Sequence, residues 1–306
     1  MGQPTPLRSG GKPLPRRQIL LSVAVFLGIV FVGDRLLASL AGTIVQHSKN
    51  EFARMYRSEL PTDILFLGDS RVDRNISCQK VRELTGKRCL NLGLGGNSMM
   101  VSEALLKDYV QRYGNPELVV IEMGHSTVDP ETLGEMRLFT LYSTNLQALA
   151  RKKAPAYATF QRVFASLRFN DPAFWRLASE TIRPPTERLL HNKIPAAVIE
   201  SAKKAAAVHR PIYQENFDAL RRICEFADLH GIGLRLFISP CWEDTKRSIE
   251  NFDEWKAKLQ TTAGTHVIHD FSDAFVRHTD YFNDELHLNA TGADRFVEYL
   301  RKEKVL

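Results

Sequence analysis

The sequence has few cysteines and no spacing typical of a metal site. Its four cysteines include no Cys-x-x-Cys pair, and its histidines and aspartates are scattered rather than clustered. No metal ion is therefore expected. No internal repeat or low-complexity tract stands out along the chain. We predict a chain that works without a metal and without a cofactor.

Most of the chain also has little net charge. The net charge is +6, of which the segment 1–42 contributes +4. That segment holds one acidic residue, Asp34, against five basic ones, Arg8, Lys12, Arg16, Arg17 and Arg35. The remaining +2 is too small to indicate nucleic-acid binding, so no nucleic-acid partner is expected.

Long apolar runs are scarce, and the one near the N-terminus bears on the compartment. Residues 19–32 are apolar, Asp34 and Arg35 interrupt the run, and residues 36–45 continue mostly apolar. A membrane span needs ~20 residues, so a span must extend through Leu40 with one charged pair near the far interface. A cleaved signal peptide and a buried helix of a soluble protein are the alternatives.

The basic flank of this run predicts its orientation. Basic residues precede the run and no acidic residue does, a pattern that keeps the N-terminus in the cytoplasm. We predict a single-pass protein of the cytoplasmic (inner) membrane, with the rest of the chain extracytoplasmic or periplasmic. About 260 residues beyond the anchor are enough for one large domain. The predicted organisation is a cytoplasmic tail at 1–17, a transmembrane anchor at 18–42, a polar stalk at 43–60 and a domain at 61–306.

The domain has the pattern of an α/β fold. Short apolar runs alternate with helical patterns, which favours a three-layer arrangement, a parallel sheet with helices on both faces. The predicted strands are Ile64–Leu67, Cys89–Leu92, Leu118–Met123, Leu234–Ile238 and His266–His269. Residues 131–210 contain no clear strand and are divided by prolines. We interpret that segment as a helical insertion or lid.

Two short motifs lie at opposite ends of this domain. Gly68-Asp69-Ser70 follows the first predicted strand, and Asp284-x-x-His287 precedes the last predicted helix. A serine hydroxyl needs a base to remove its proton, and that base needs a carboxylate to fix its tautomer. The motifs supply the three groups of nucleophilic acyl transfer. A turn-capping Ser70 and a surface His287 are the plain alternatives.

These motifs resemble the SGNH, or GDSL, hydrolases. The resemblance implies that Ser70 is the nucleophile, His287 the base and Asp284 its orienting carboxylate. It also implies an oxyanion hole formed with a backbone N–H after the second strand, where Gly96 is the best match and Asn97 follows it. The sequence departs from the family after the third strand, because Ser126 replaces an asparagine whose side chain is the third donor.

Polar residues at the strand ends add further candidates. Ser70, Gly96 and Ser126 each follow a predicted strand, and sites in parallel sheets form beyond the carboxyl ends of the strands. His125 is a candidate oxyanion or substrate donor, or merely packs at a strand end. Arg71 is a candidate contact for an anionic substrate, or forms a local salt bridge.

The cysteines allow two interpretations. Cys78 opens a predicted helix and Cys89 the second strand, so the two form a disulfide or remain two small apolar side chains. Cys224 lies on an apolar helix face and is expected in the core.

The resemblance implies a membrane-anchored serine esterase or O-acyltransferase acting on a glycan of the cell envelope or an exopolysaccharide. Anchored relatives with a helical insertion look like alginate O-acetylation and lipoteichoic-acid D-alanylation proteins. The implied partners are an acyl donor, a glycan acceptor, the membrane and a membrane-bound acyltransferase. A catalytically weak accessory or glycan-binding protein is the alternative, and a free-standing lipase is a third possibility.

Overall fold

A computed structural model describes residues 15–183 and 187–306. Most of the expected cytoplasmic tail, including Arg8 and Lys12, lies outside them. The described residues contain a five-stranded parallel sheet, in the spatial order β2-β1-β3-β4-β5. Its strands are β1 (Ile64–Gly68), β2 (Cys89–Gly93), β3 (Leu118–Glu122), β4 (Gly233–Ile238) and β5 (Ile268–Asp270). The five predicted strands are confirmed, with bounds that shift by one or two residues.

Helices surround this sheet and extend from it. They are α1 (Arg16–His47), α2 (Glu51–Tyr56), α3 (Ser70–Asn75), α4 (Cys78–Thr85), α5 (Met99–Tyr113), α6 (Thr144–Lys153), α7 (Pro155–Val163), α8 (Pro172–Ser179), α9 (Ala196–Lys203), α10 (Gln214–His230), α11 (Glu243–Arg247), α12 (Phe252–Ala263) and α13 (Ala290–Lys302). Shorter 3₁₀ helices span Gly124–Thr127, Gly134–Phe139, Ala165–Phe169 and Thr279–Tyr281.

Both faces of the sheet are buried, which explains why its strands are apolar throughout. Successive side chains of a strand point to opposite faces. Leu65 and Leu67 belong to the core that α5, α10 and α12 cover. Ile64 and Phe66 belong to the core beneath α3, α4 and α13. The prediction of a parallel sheet with helices on both faces is confirmed.

Helix caps follow the sequence closely. Ser77 accepts a hydrogen bond from the N–H of Lys80 at the start of α4, and Gly86 ends that helix with φ of 72°. Asn289 accepts a hydrogen bond from the N–H of Gly292 at the start of α13. Such caps satisfy backbone groups that a helix end leaves without partners.

The cysteines divide into one bonded pair and two buried thiols. Cys78 and Cys89 form a disulfide, with their Cα atoms 5.3 Å apart, so the first of the two interpretations is the one that the structure shows. The bond ties the start of α4 to the start of β2. Cys224 and Cys241 are free and buried, and the expectation of a core position for Cys224 is confirmed.

The segment expected to be a stalk, 43–60, packs against the domain. It contains α2, whose Phe52 and Met55 are 2% and 0% exposed within the main core. The expected insertion is helical between Gly134 and Lys203 wherever it forms regular structure in the described residues. Its role as a lid stays a prediction. The apolar α1 is long and apolar enough to cross a membrane, with a mean hydropathy of 2.2 over its most apolar window.

Candidate active site

Ser70 sits at the carboxyl end of β1, on the first residue of α3. Asp69 precedes it as the helix cap, and its carboxylate accepts a hydrogen bond from the N–H of Arg71. The turn requires glycine at two neighbouring strand ends. A Cβ on Gly68 would lie 2.5 Å from Val72, and one on Gly93 would lie 2.3 Å from the backbone nitrogen of Asp73. Only glycine lets α3 approach the sheet this closely and hold the half-buried Ser70 at its edge.

The residues expected to form a triad are brought together. Nε2 of His287 lies 2.8 Å from Oγ of Ser70. Nδ1 of His287 lies 2.9 Å from each carboxylate oxygen of Asp284. A carboxylate on Nδ1 selects the tautomer in which Nε2 accepts the serine proton. The arrangement is a base within reach of a nucleophile, with its orientation fixed by a third group.

The loop that carries Asp284 and His287 is held at three points. The N–H of Leu288 donates to Oδ1 of Asn75 at 2.8 Å, and the N–H of Trp242 donates to the carbonyl of Glu285 at 2.8 Å. Phe282 and Leu288 also form an antiparallel bridge. These contacts tie the loop to α3 and to the end of β4, so the histidine is positioned before any substrate binds.

Asp284 stays ionised over the whole working range of pH. Partial burial alone would raise the pKa of Asp284, but hydrogen bonds from the His287 ring and from the N–H of Leu286 lower that pKa to about 2. The carboxylate therefore orients the imidazole and stabilises its protonated form without taking the proton itself.

Backbone N–H groups beside Ser70 are available for an oxyanion. Those of Ser70, Gly95 and Gly96 have no acceptor among the described residues, and both glycines are exposed. A Cβ on Gly95 would lie 3.8 Å from that of Ser70, whereas one on Gly96 would meet nothing within 4 Å. A side chain at position 95 would therefore point toward Ser70, and Gly96 forms the turn with φ of 72°.

Ser126 is committed to another contact. Its side chain is fully buried, and its Oγ accepts a hydrogen bond from Nε1 of Trp255 at 2.9 Å. Its carbonyl accepts a second bond from Nδ2 of Asn216. These bonds hold the loop after β3 against α10 and α12, and they give Ser126 a structural explanation that the motif alignment does not include.

Asn97 and His125, near the strand ends, are among the buried side chains that lack hydrogen-bond partners in the described part of the chain. Both amide atoms of Asn97 and both ring nitrogens of His125 are buried without a partner among the described residues. Burial, with a smaller effect of Arg71 and against the charge of Asp69, lowers the pKa of His125 to about 4. His125 is therefore neutral near pH 7. Unpartnered buried polar groups are rare in folded proteins, which makes both residues candidates for contact with a polar ligand.

Asn97 and Ser126 provide a paired test for a side-chain oxyanion donor in addition to the backbone N–H groups. We expect Asn97→Ala to lower kcat about 10²- to 10³-fold, since this is the cost of removing one oxyanion donor. Ser126→Ala is expected to change kcat less than about tenfold, because its hydroxyl is already bonded to Trp255. Steady-state kinetics on a short acyl ester compares the variants. The reverse order would assign the side-chain donor to Ser126.

Arg71 is part of a buried ionic network. Its guanidinium donates to both carboxylate oxygens of Asp69, at 3.2 and 2.8 Å, and lies 3.5 Å from Glu122. Arg71 is only 7% exposed and occupies the space where a Cβ on Gly124 would stand. The structure therefore favours the local salt bridge over a direct contact with an anionic substrate.

The two carboxylates of this network, Asp69 and Glu122, have different pKa values and therefore different charges near pH 7. Burial alone would raise the pKa of Asp69, but the charge of Arg71 lowers it to about 2. Burial raises the pKa of Glu122 to about 7, with repulsion from Asp69 adding to the shift and Arg71 opposing it. Asp69 is the permanent partner of Arg71, while Glu122 titrates near neutral pH.

Glu122→Gln is expected to change the pH dependence of stability. Native Glu122 keeps its proton up to about pH 7, whereas the unfolded chain loses it near 4.5. Since the native state then binds more protons, this group lowers the free energy of unfolding as pH rises through that window, by up to ~1.4 kcal/mol per pH unit. Relative to wild type, the glutamine variant should gain stability with rising pH.

Urea unfolding of the detergent-solubilised full chain between pH 4.5 and 8 tests this. His125, whose lowered pKa works in the opposite direction, is present in both proteins and cancels in their difference. A difference that does not vary with pH would contradict the assignment.

Arg210 is a candidate site residue that the motifs do not reveal. Its guanidinium carbon lies 5.0 Å from the ring centroid of Trp255, and among the described residues only its backbone forms hydrogen bonds. Burial lowers the pKa of Arg210 to about 10, and the charge of Arg71 adds to that shift. An arginine without an acidic partner beside this network is suited to hold an anionic group.

Comparisons with known proteins find similar solved structures at low sequence identity. No family model matches the chain, and no curated protein does. A protein from Streptococcus pneumonia, provisionally described as a platelet activating factor, is 15% identical with a TM-score of 0.43, over 94% of this chain and 99% of its own. A GDSL-like lipase from Bacteroides thetaiotaomicron is 13% identical with a TM-score of 0.41, over 79% and 88%. The geometry of this chain's own residues is therefore the basis for assigning its function.

Proposed function

We propose that the chain is a membrane-anchored serine esterase or O-acyltransferase acting on an extracytoplasmic glycan. The observation that carries this proposal is the continuous hydrogen-bonded series from Ser70 through His287 to Asp284, with contacts of 2.8 and 2.9 Å. A half-buried serine paired with a distant histidine whose other nitrogen faces a carboxylate is the arrangement that nucleophilic catalysis needs.

The steps follow from this geometry. Oγ of Ser70 attacks the acyl carbon of an ester while Nε2 of His287 takes its proton. The N–H groups of Ser70, Gly95 and Gly96 stabilise the negative charge that develops on the acyl oxygen. His287 then returns the proton to the leaving alcohol, and an acyl-serine forms. Water or a sugar hydroxyl, deprotonated by His287, then attacks the acyl carbon of the acyl-serine. The bond from that carbon to Oγ of Ser70 breaks, His287 returns the proton to Oγ, and the free acid or the acylated sugar leaves.

Two observations support an extracytoplasmic site. The Cys78–Cys89 disulfide is stable in an oxidising compartment and uncommon in the cytosol. The apolar α1 and its preceding basic residues favour an anchor with the N-terminus in the cytoplasm. We infer an inner-membrane location with a periplasmic domain, and a membrane-bound acyltransferase partner as the source of acyl groups.

The shape of the site supports a small acyl group on a large acceptor. Gly95 and Gly96 are exposed beside a half-exposed Ser70, which leaves the acyl site open rather than enclosed. A long acyl chain needs an extended apolar pocket, whereas an acetyl group on a polymer needs an open approach. Arg210 supports an acceptor or donor that carries a carboxylate or phosphate.

The accessory interpretation also has one observation in its favour. The asparagine donor of the resembled family is replaced by Ser126, whose hydroxyl is bonded to Trp255. A weakened oxyanion hole would leave a glycan-binding fold with little turnover. The assembled triad favours catalysis, because a binding protein has no need for this geometry.

Hydrolysis and transfer are separated by one experiment. The full chain in detergent is incubated with acetyl and long-chain chromogenic esters, each with neutral or carboxylated oligosaccharide acceptors. We expect turnover of the acetyl ester and acylated sugar detected by mass, with a preference for the carboxylated acceptor. Ser70→Ala should abolish both products, while Ser201→Ala, an exposed serine on α9, should abolish neither. Turnover that survives in Ser70→Ala would refute the proposal.

A further inference from the structure

The apolar run of α1 is interrupted by a charged pair, Asp34 and Arg35, and both side chains form hydrogen bonds to the rest of the protein. The carboxylate of Asp34 accepts hydrogen bonds from the N–H groups of Ala165 and Ser166 and from Oγ of Ser166, at 2.7, 3.0 and 2.6 Å. Arg35 donates to the carbonyls of Arg162 and Val163, at 2.6 and 3.2 Å. The junction between α7 and the 3₁₀ helix Ala165–Phe169 is therefore fixed to α1 at the level of Asp34.

This attachment covers one face of α1 and leaves the other exposed. Asp34, Ala38, Gly42 and Val45 are buried on the covered face. Around them the exposed side remains apolar as far as Leu40, since Leu36, Leu37 and Leu40 are 66%, 62% and 61% exposed. The apolar exposed surface of α1 thus runs from Ile19 to Leu40.

The length of that surface fixes the depth of the attached segment. Residues 19–32 span only about 21 Å at 1.5 Å per residue, whereas residues 19–40 span about 33 Å, close to the ~30 Å of a bilayer core. If the bilayer covers α1 up to Leu40, Asp34 lies about 9 Å inside the outer boundary. The residues bonded to it must lie at the same depth.

The attached segment carries an apolar surface at that level. Its exposed large side chains are Phe160, Val163, Phe164 and Leu167, at 60%, 52%, 42% and 41% exposure, and we call these four the docking patch. Clusters of exposed apolar residues mark interaction sites. Interfacial segments bury their apolar face about 5–10 Å into the bilayer, which matches the depth derived from α1.

We propose that the docking patch inserts into the outer leaflet of the bilayer and seats the domain directly on the membrane. A lipid bilayer, rather than a protein partner, is the occupant that fits, because the patch is bonded to the span inside the depth that lipid covers. The Asp34 side chain, 6% exposed, is then enclosed by protein, whereas that of Arg35, 35% exposed, donates to the carbonyls of Arg162 and Val163 and extends toward the headgroups. Trp175, 74% exposed on the neighbouring α8, suits the headgroup level, where tryptophan is enriched.

This docking requires the membrane span but not catalytic activity. It also changes the expected position of the active site. On a stalk the domain would sample many heights above the membrane. With the patch inserted, the domain is held at one height and orientation, so membrane-borne acyl donors and the site meet in a fixed geometry.

Bimane attached to single introduced cysteines in the full chain, reconstituted in phospholipid vesicles, tests the proposal. Phe164→Cys and Leu167→Cys report on the patch. Leu229→Cys and Val267→Cys, 82% and 64% exposed elsewhere, are matched controls, and Val25→Cys reports on the span. The native Cys224 and Cys241 are buried, and labelling of the wild-type chain measures their background.

We expect acyl-brominated lipids to quench bimane at Phe164, Leu167 and Val25, and aqueous iodide to quench it at Leu229 and Val267. If brominated lipids quench bimane at Val25 but not at Phe164 or Leu167, the docking patch is overturned and the anchor is retained. Bimane at Phe164 and Leu167 that iodide quenches in vesicles but not in native membranes would overturn lipid in favour of a protein partner. Iodide quenching at Val25 would overturn the span and the docking with it.

Discussion

Ser70→Ala is expected to lower kcat about 10⁴- to 10⁶-fold, the range seen when a nucleophile of a serine triad is removed. The reason is that Oγ of Ser70 is the atom to which Nε2 of His287 is directed, at 2.8 Å. KM and the free energy of unfolding should change little, because Ser70 is half-exposed and its hydroxyl has no other hydrogen-bond partner among the described residues.

Steady-state kinetics and urea unfolding on the same preparation measure both quantities. Ser201→Ala is the control for losing a hydroxyl from the chain without touching the site. A Ser70→Ala protein that unfolds normally and keeps more than about a tenth of wild-type kcat would remove Ser70 from the mechanism.

Asp69→Ala is expected to lower the free energy of unfolding by about 3 kcal/mol, the low end of what breaking a buried ion pair costs. Asp69 and Arg71 are each 7% exposed, so the variant leaves a guanidinium that water cannot solvate. The cost stays at the low end because Glu122, 3.5 Å from Arg71, loses the repulsion of Asp69 and can ionise.

A double-mutant cycle distinguishes the loss of the ion pair from the cost of leaving a buried charge unpaired. Adding Arg71→Leu to Asp69→Ala should recover part of the lost stability, since the unpaired charge is then gone. Asp280→Ala breaks the exposed pair with Lys193, whose side chains are 69% and 72% exposed, and should leave the unfolding curve almost unchanged. Equal effects of Asp69→Ala and Asp280→Ala would contradict the buried network.

The sheet was predictable because its physical requirements are local. A strand buried on both faces must be apolar at every position, so Ile64–Leu67 and Leu118–Met123 are recognisable as short apolar runs. The caps at Gly86 and Asn289 follow from backbone groups that only certain residues satisfy. The order of the strands in space is not local, and only the structure shows β1 between β2 and β3.

The contact among Ser70, His287 and Asp284 was predictable from motifs, and its surroundings were not. Ser70, Asp284 and His287 belong to two short patterns at recognisable positions. Trp255 lies 129 residues from Ser126 along the chain, so no pattern around Ser126 indicates that its hydroxyl is already bonded. Likewise nothing near Arg210 in the sequence shows that burial and the charge of Arg71 lower its pKa.

In the segment next to the predicted membrane span, sequence periodicity does not show what a helix packs against. Residues 43–60 read as polar and amphipathic, which favoured a stalk. Phe52 and Met55 are nevertheless buried in the main core. A short amphipathic helix looks the same in sequence whether its apolar side meets lipid, solvent or a domain. The partners of Asp34 lie more than 120 residues away, and only folding shows why a charge is tolerated there.

The most direct test of the central claim is intact mass of the full chain after reaction with a fluorophosphonate, an electrophile that traps activated serines. The account predicts one adduct, mapped to Ser70, that is absent from Ser70→Ala and strongly slowed in His287→Ala. Absence of an adduct from a folded wild-type chain, or an adduct on another serine, would contradict a triad built on Ser70.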